Sequence, residues 1–138
     1  GLAFKPGTDD MREAPSLVII NTLTAHGATI QAYDPVATPQ AKMRFLQQQD
    51  SQGVLRQIQF CDTAQAALRG ADILIIATEW DEFKQHSLVE IKQHLKTPCI
   101  FDGRNIYDPV QMHQLGFDYH SIGRQSCATN VQSLSYQE

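Results

Sequence analysis

The chain has 138 residues, 42% of them apolar and 19% charged, and a formal net charge of −4. That is the makeup of one soluble globular domain, long enough to bury a core without metal or disulfide support. The acidic balance argues against a nucleic-acid or anionic-membrane surface, although a local basic pocket is compatible with it, and no apolar run approaches the ~20 residues that span a bilayer.

The chain opens on GLAFKPGTDDMREAPS, with no Met and no signal-peptide pattern. Residues 1–4 read as the end of a strand whose beginning lies upstream in a longer protein. Pro15 suits the first turn of a helix, where its missing N–H costs nothing. SLVIINTLTAH continues that helix, with Leu17, Ile20 and Leu23 broadly on one side and Gly27 as its stop. Residues 28–33 read as a short strand closed by Asp34-Pro35. Residues 39–49 form a polar helical pattern with Met43 and Leu46 on one face. Residues 57–60 suit a short strand, and residues 63–69 a helix stopped by Gly70.

ADILIIAT (71–78) is the strongest strand pattern. Its nearly continuous apolar run is expected of a central parallel strand covered on both faces. Residues 80–84 and 87–95 read as helical. Residues 98–101 read as a buried strand followed by DGRN, residues 109–115 as a helix stopped by Gly116, and residues 117–122 as a last strand. Beyond Gly123, RQSCATNVQSLSYQE is polar and aperiodic. The expected organisation is one domain over 1–124 and a tail over 125–138. Strands alternating with helices imply right-handed β-α-β units. The expected fold is α/β: a Rossmann-like open parallel sheet of about five or six strands flanked by helices.

In such sheets ligands sit outside the carboxyl ends of the strands. Those ends are Phe4-Lys5, Asp34-Pro35, Thr78-Glu79-Trp80 and Asp102-Gly103-Arg104. Lys5 and Arg104 therefore share one edge, and Arg12 hangs from the loop after Lys5. Three cations on one edge of an acidic protein suit an anionic ligand, with arginine favouring bidentate recognition of phosphate or carboxylate. The plainer alternative is that Asp9 and Asp10 neutralise Lys5 and Arg12, and that Asp102 neutralises Arg104. Asp34 resembles the acidic residue that holds a ribose in dinucleotide sites, but it equally suits a strand-ending turn before proline. No GxGxxG fingerprint is present. Trp80 and Phe83 read as packing residues in the core or at an interface.

Other chemistry finds no motif. There is no GxSxG, Walker loop, HExxH or zinc cluster. His26, His86, His94, His113 and His120 are scattered without evident partners. Cys61, Cys99 and Cys127 show neither CxxC nor metal-ligand spacing, so no metal site is expected. Cys99, inside PCIF, reads as core, and an odd scattered set suits a reducing compartment.

Four segments in order, GLAFKPGTDDMREAPS, YDP (33–35), ADILIIATEWDEF (71–83) and IFDGRNIYDP (100–109), resemble the C-terminal UDP-binding domain of the UDP-glucose/GDP-mannose dehydrogenase family. KPGTDDMREAPS and ATEWDEF are more similar to its UDP-glucose 6-dehydrogenase branch than to its GDP-mannose or UDP-N-acetylmannosamine branches. The resemblance spans residues 1–124. It implies a cytoplasmic, oligomeric enzyme of polysaccharide biosynthesis that oxidises the C6 hydroxyl of UDP-glucose to a carboxylate with two NAD+. It also implies that Phe4, Lys5 and Arg104 contact the UDP-sugar and that Arg12 reaches toward NAD. In the family the NAD-binding domain, the catalytic cysteine, lysine and aspartate, and the dimerising helix lie upstream. The resemblance therefore places no catalytic residue in this chain, and Cys127 in QSCATN does not match the nucleophile. Turnover by residues 1–138 alone is not expected. The rivals are the same domain from a dehydrogenase of another nucleotide-sugar, and a stand-alone flavodoxin-like binding module.

Overall fold

The computed structural model describes residues 1–49 and 51–123. The elements in order are α1 (Pro15–Ala25), β1 (Ile30–Ala32), α2 (Thr38–Leu46), α3 (Ser51–Arg56), β2 (Ile58–Phe60), α4 (Ala64–Leu68), β3 (Leu74–Ile76), α5 (Asp81–Gln85), α6 (Leu88–His94), β4 (Cys99–Asp102), α7 (Pro109–Gln114) and β5 (Asp118–Ser121). Every pairing among these strands is parallel. Ile30 of β1 lies opposite Ile58 of β2; Leu74 of β3 lies opposite Ile100 of β4, and Cys99 of β4 opposite Asp118 of β5. The Rossmann-like α/β alternation is thus present.

The described strands fall into two sheets, β1-β2 and β3-β4-β5, rather than one. Residues 1–4, expected as a strand end, carry no strand pairing. They cross the carboxyl ends of β1 and β3 and are tied there by side chains.

Local sequence accounts for most helix ends. Pro15 opens α1, and Gly27, at φ +89°, closes it in the left-handed region that glycine enters without strain. Thr63 caps α4 by accepting from the Ala66 N–H at 3.1 Å, and Asp108 caps α7 by accepting from Val110 and Gln111.

Two expectations change in three dimensions, and one helix is added. The buried stripe of α1 is Ser16, Ile20 and Thr24, because both hydroxyls bond carbonyls: Ser16 to Leu2 at 2.6 Å and Thr24 to Ile20 at 2.8 Å. In α2 the buried pair is Ala41 and Phe45, while Met43 and Leu46 face solvent; the bulky ring wins the core. The polar stretch before β2 forms α3, whose Val54 and Leu55 pack on the first core.

That core joins Leu2, Ala3, Met11 and Ala14 of the first loop to Ile20 and Phe45. The second core gathers Ile76, Ile91, Ile100, Met112, Phe117 and Tyr119. The best-covered strand is β4, where Cys99, Ile100 and Asp102 are buried and Phe101 alone is exposed, and not the 71–78 run. Ile73 is 39% exposed, and Leu74 and Ile75 are half-buried, because β3 has a strand neighbour on one side only. Among the described residues no helix is long and apolar enough to cross a membrane. The tail over 125–138, with Cys127, lies outside the described residues.

Candidate functional site

The opening loop holds charge outward on an apolar footing. Leu2, Ala3, Met11 and Ala14 are each at most 3% exposed, whereas Phe4, Lys5, Asp9 and Arg12 are exposed. The Phe4 N–H donates to the Asp10 carbonyl at 2.9 Å and closes the loop. Gly7, at φ +79°, makes the reversal. Buried apolar residues thus anchor both ends of a loop whose charged tips stand at the sheet edge.

Arg104 ties that loop to the second sheet. Its Nε donates to the Ala77 carbonyl and its Nη2 to the Phe4 carbonyl, each at 2.9 Å, and Nη1 lies 3.3 Å from Glu79. The guanidinium is held between the end of β3 and the first loop, at the carbonyl of the residue before Lys5. Lys5 Nζ sits 5.9 Å from the Phe4 ring centroid and forms no ion pair among the described residues. The structure therefore brings Phe4, Lys5 and Arg104 together on one edge.

Arg12 stands differently. Asp10 grips it by three side-chain hydrogen bonds of 2.8–3.2 Å. These contacts pull the Asp10 carboxyl down to about 2. The Arg12 side chain remains 81% exposed. The neutralising alternative thus describes Asp10 with Arg12, and fails for Asp9, which has no ion pair among the described residues.

It also fails for Asp102, which is 2% exposed and turned inward. Asp102 accepts from Tyr119 Oη at 2.5 Å, from the Ile106 N–H at 2.8 Å and from the Arg104 N–H at 2.9 Å. Its carboxylate shapes the DGRN turn, and the turn aims the Arg104 side chain. Glu79, not Asp102, is the acid beside the guanidinium.

Asp34 is the residue whose weight the sequence least revealed. It is 4% exposed. Oδ2 accepts from the Leu2 N–H at 2.8 Å, the Ala3 N–H at 3.0 Å and Trp80 Nε1 at 3.0 Å; Oδ1 accepts from the Val36 and Ala37 N–H groups at 2.9 and 2.7 Å. Burial pushes this carboxyl up, but the backbone donors outweigh it and hold the pKa below its ordinary value. With these N–H groups on its lone pairs, Asp34 is committed to the fold and leaves no acceptor for a ribose hydroxyl. The turn reading is right and too modest: one carboxylate joins β1, the first loop and Trp80. The Asp-Pro signal could have found the turn, not the distant donors.

Trp80 packs on the first core through its ring. Phe83 lies 6.2 Å from Tyr33, whose hydroxyl donates to Glu82 at 2.8 Å. Burial and that acid push the Tyr33 phenol up to about 12.

The histidines are less isolated than their spacing suggests. His120 stacks on Phe101 at 4.6 Å and places Nε2 3.0 Å from Asp118 Oδ1. Cys99, buried as expected, lies with these two so that one ligand atom of each falls within 4.8 Å of the others. β-pairing brings them together: Cys99 and Asp118 are register partners, and His120 is two residues on. Cys99 and Asp118 begin β4 and β5, at the end of the sheet away from the cations.

The chain has relatives among known proteins. The profile of the UDP-glucose/GDP-mannose dehydrogenase family, UDP binding domain, matches residues 1–109. The chain belongs to that family. It is 44% identical over 124 residues to UDP-glucose 6-dehydrogenase of Pseudomonas aeruginosa, across 90% of this chain and 26% of that protein. It is 42% identical over 127 residues to UDP-glucose 6-dehydrogenase YwqF of Bacillus subtilis, across 91% of this chain and 27% of that protein. The chain thus spans 26–27% of the length of these relatives. The crystal structure of NDP-N-acetyl-D-galactosaminuronic acid dehydrogenase from Methanosarcina mazei Go1 superposes with a TM-score of 0.71 at 23% identity, over 92% of this chain and 24% of that one, which shows the shared fold.

Proposed function

We propose that this family domain is the nucleotide-sugar-binding lobe of a cytoplasmic, NAD-dependent UDP-glucose 6-dehydrogenase that feeds polysaccharide synthesis. The observation that carries the reading is the edge cluster. The Arg104 guanidinium is fixed by two carbonyls, one of them that of Phe4 next to Lys5 in the chain, and pairs with Glu79, while Lys5 has no ion pair among the described residues of a protein of net charge −4. A diphosphate supplies the oxygens that such a fork and point charge recognise. The Phe4 side chain, 42% exposed, offers an apolar surface to the sugar or base. The two relatives named above, both called UDP-glucose 6-dehydrogenases, favour UDP-glucose over other nucleotide-sugars.

In this reading the domain spans 1–124 and works with an upstream NAD-binding domain that carries the catalytic residues, within a homo-oligomer. Bound NAD would supply the hydride acceptor, two NAD+ in succession accounting for oxidation of the C6 alcohol to a carboxylate. Among the described residues there is no glycine-rich cradle for its pyrophosphate. They fit one contact, Arg12, exposed at the loop tip and splinted by Asp10. This chain's own part is to bind and orient the nucleotide-sugar.

The test pairs two experiments. The longer protein is assayed for NADH formation with UDP-glucose, GDP-mannose and UDP-N-acetylhexosamines. Separately, the chain is titrated with UDP, GDP and NAD while amide shifts are followed. The expected results are turnover of UDP-glucose and shifts at Phe4, Lys5 and Arg104 with UDP. Turnover of a different nucleotide-sugar overturns the substrate. UDP shifts confined to other residues overturn the edge.

A further inference from the structure

Strand pairing builds a second cluster, at the other end of the sheet. Cys99 and Asp118 are register partners at the start of β4 and β5, and Phe101 and His120 are partners two residues further on. Side chains two apart on a strand share a face, and so do register partners. All four therefore stand on one face, while Ile100 and Tyr119 turn the other way into the second core. Phe101 lies flat on the His120 ring, with centroids 4.6 Å apart and planes 13° apart, which fixes the imidazole plane. His120 Nε2 reaches back along β5 to within 3.0 Å of Asp118 Oδ1. Cys99, 7% exposed, closes the cluster: one ligand atom from each of the three lies within 4.8 Å of the other two.

A thiol, an imidazole and a carboxylate are the donors that hold zinc. In a tetrahedral zinc site with bonds of about 2.0–2.3 Å, ligand atoms lie about 3.3–3.7 Å apart. The bound of 4.8 Å leaves at most about 1.5 Å to close, within reach of side-chain rotation on two fixed strands. A second observation points the same way. Asp118 Oδ1 is shut off from solvent and makes no well-aligned hydrogen bond among the described residues. A buried acid oxygen in that state calls for a donor or a cation. The rest of the cluster opens outward. The Asp118 and His120 side chains are 41% and 33% exposed, which gives a metal a way in and water a fourth position. Spacing along the chain hides the set, because only the pairing of β4 with β5 brings Cys99 to the other two.

We propose that Cys99, Asp118 and His120 bind one zinc ion, with water in the fourth position. A thiolate selects a borderline-soft metal over magnesium or calcium, and three donors of three kinds suit zinc. The ion staples β5 to β4. Among the described strands β5 has a neighbour on one side only, so a metal shared with β4 opposes its separation and stabilises this edge. Cys99 begins β4, whereas Arg104 follows its carboxyl end. Zinc and a nucleotide at the charged edge therefore occupy opposite ends of the sheet. The competing arrangement is a plain ion pair of His120 with Asp118 beside a core thiol, which binds no metal.

Cobalt(II) is the probe, because a cobalt–thiolate bond gives an intense charge-transfer band that imidazole and carboxylate do not. The chain carrying Cys61→Ser and Cys127→Ser, which leaves Cys99 as its single thiol, is titrated with cobalt and then with zinc. The band is expected to saturate at one equivalent of cobalt and to be displaced by zinc. His120→Gln in that background is expected to weaken binding at least about 100-fold, more than the loss of an outer-shell partner costs. An absent band, binding only at millimolar metal, or equal affinity after His120→Gln overturns the proposal. X-ray absorption on the unsubstituted chain with one equivalent of zinc gives an answer that does not depend on the variants folding. One sulfur at about 2.3 Å with nitrogen or oxygen at about 2.0–2.2 Å is expected, and a shell without sulfur overturns the site. In the longer protein the cobalt band is read as wild type minus Cys99→Ser: a difference supports the site, and none overturns it.

Discussion

Asp34 is the place where a single substitution tests the architecture of the site. Asp34→Ala strips the acceptor from Leu2, Ala3, Val36, Ala37 and Trp80 at once. A hydrogen bond to a charged group is worth about 1.5–3 kcal/mol, and a buried donor left unmade costs about 1–3 kcal/mol. These do not add in full, since loop residues 1–4 can move and admit water. The expected loss is about 3–5 kcal/mol, the range seen when one partner of a buried charged network is removed. Asp34→Asn costs nearly as much, because either amide orientation sets an NH2 against two or three N–H donors. Trp80→Phe removes the 3.0 Å indole bond and part of the ring packing on the first core, costs about 1.5–3 kcal/mol, and serves as a graded control. Urea unfolding reads all three, with a slope of ~1–3 kcal/mol/M for a small domain. A loss below about 1 kcal/mol for Asp34→Ala would refute the network argument. The pH dependence has a fixed sign. The folded carboxyl titrates below its ordinary value of 3.8, so its stabilisation is complete above that pH and fades as pH falls through the folded pKa. The gap between wild type and Asp34→Asn should therefore narrow in acid below 3.8; a gap that widens there contradicts the depressed pKa.

Tyr119→Phe removes the 2.5 Å bond to buried Asp102 and should cost about 1.5–3 kcal/mol in urea unfolding; an unchanged midpoint would show that the DGRN turn does not depend on it. Thr78→Val keeps the volume but loses the 2.7 Å bond to the Ala3 carbonyl, for about 1–2 kcal/mol and faster exchange in residues 1–4. Exchange as slow as in wild type would mean that Asp34 alone holds the loop. Arg104→Lys cannot reach the Ala77 and Phe4 carbonyls and present a fork as well; UDP affinity should fall about tenfold, the equivalent of ~1.4 kcal/mol. Calorimetric titration checks it, and equal affinity would remove Arg104 from the proposed diphosphate contact.

Periodicity and chain punctuation carried most of the elements. Pro15, Thr63, Ser87 and Asp108 start helices, and Gly27 and Gly116 stop them, because capping and left-handed turns are local chemistry within a few residues. The same local rules placed Phe4, Lys5 and Arg104 on one edge, since strand ends in a parallel sheet share a side. What local rules could not reach was partnership across the chain. Phe45 rather than Met43 enters the core, Glu79 rather than Asp102 faces Arg104, and Cys99 meets Asp118 and His120. Asp34 gathers donors from residues 32 and 46 positions away. The 71–78 run encodes a strand covered on both faces, yet β3 is half-buried because burial depends on which neighbour lies beside it. The sequence by itself determined the α/β alternation and which cations stand at the carboxyl edge. Only the tertiary structure decided which carboxylates turn inward and where the sheet is open, because hydrogen-bond satisfaction and burial are properties of segments brought together in space.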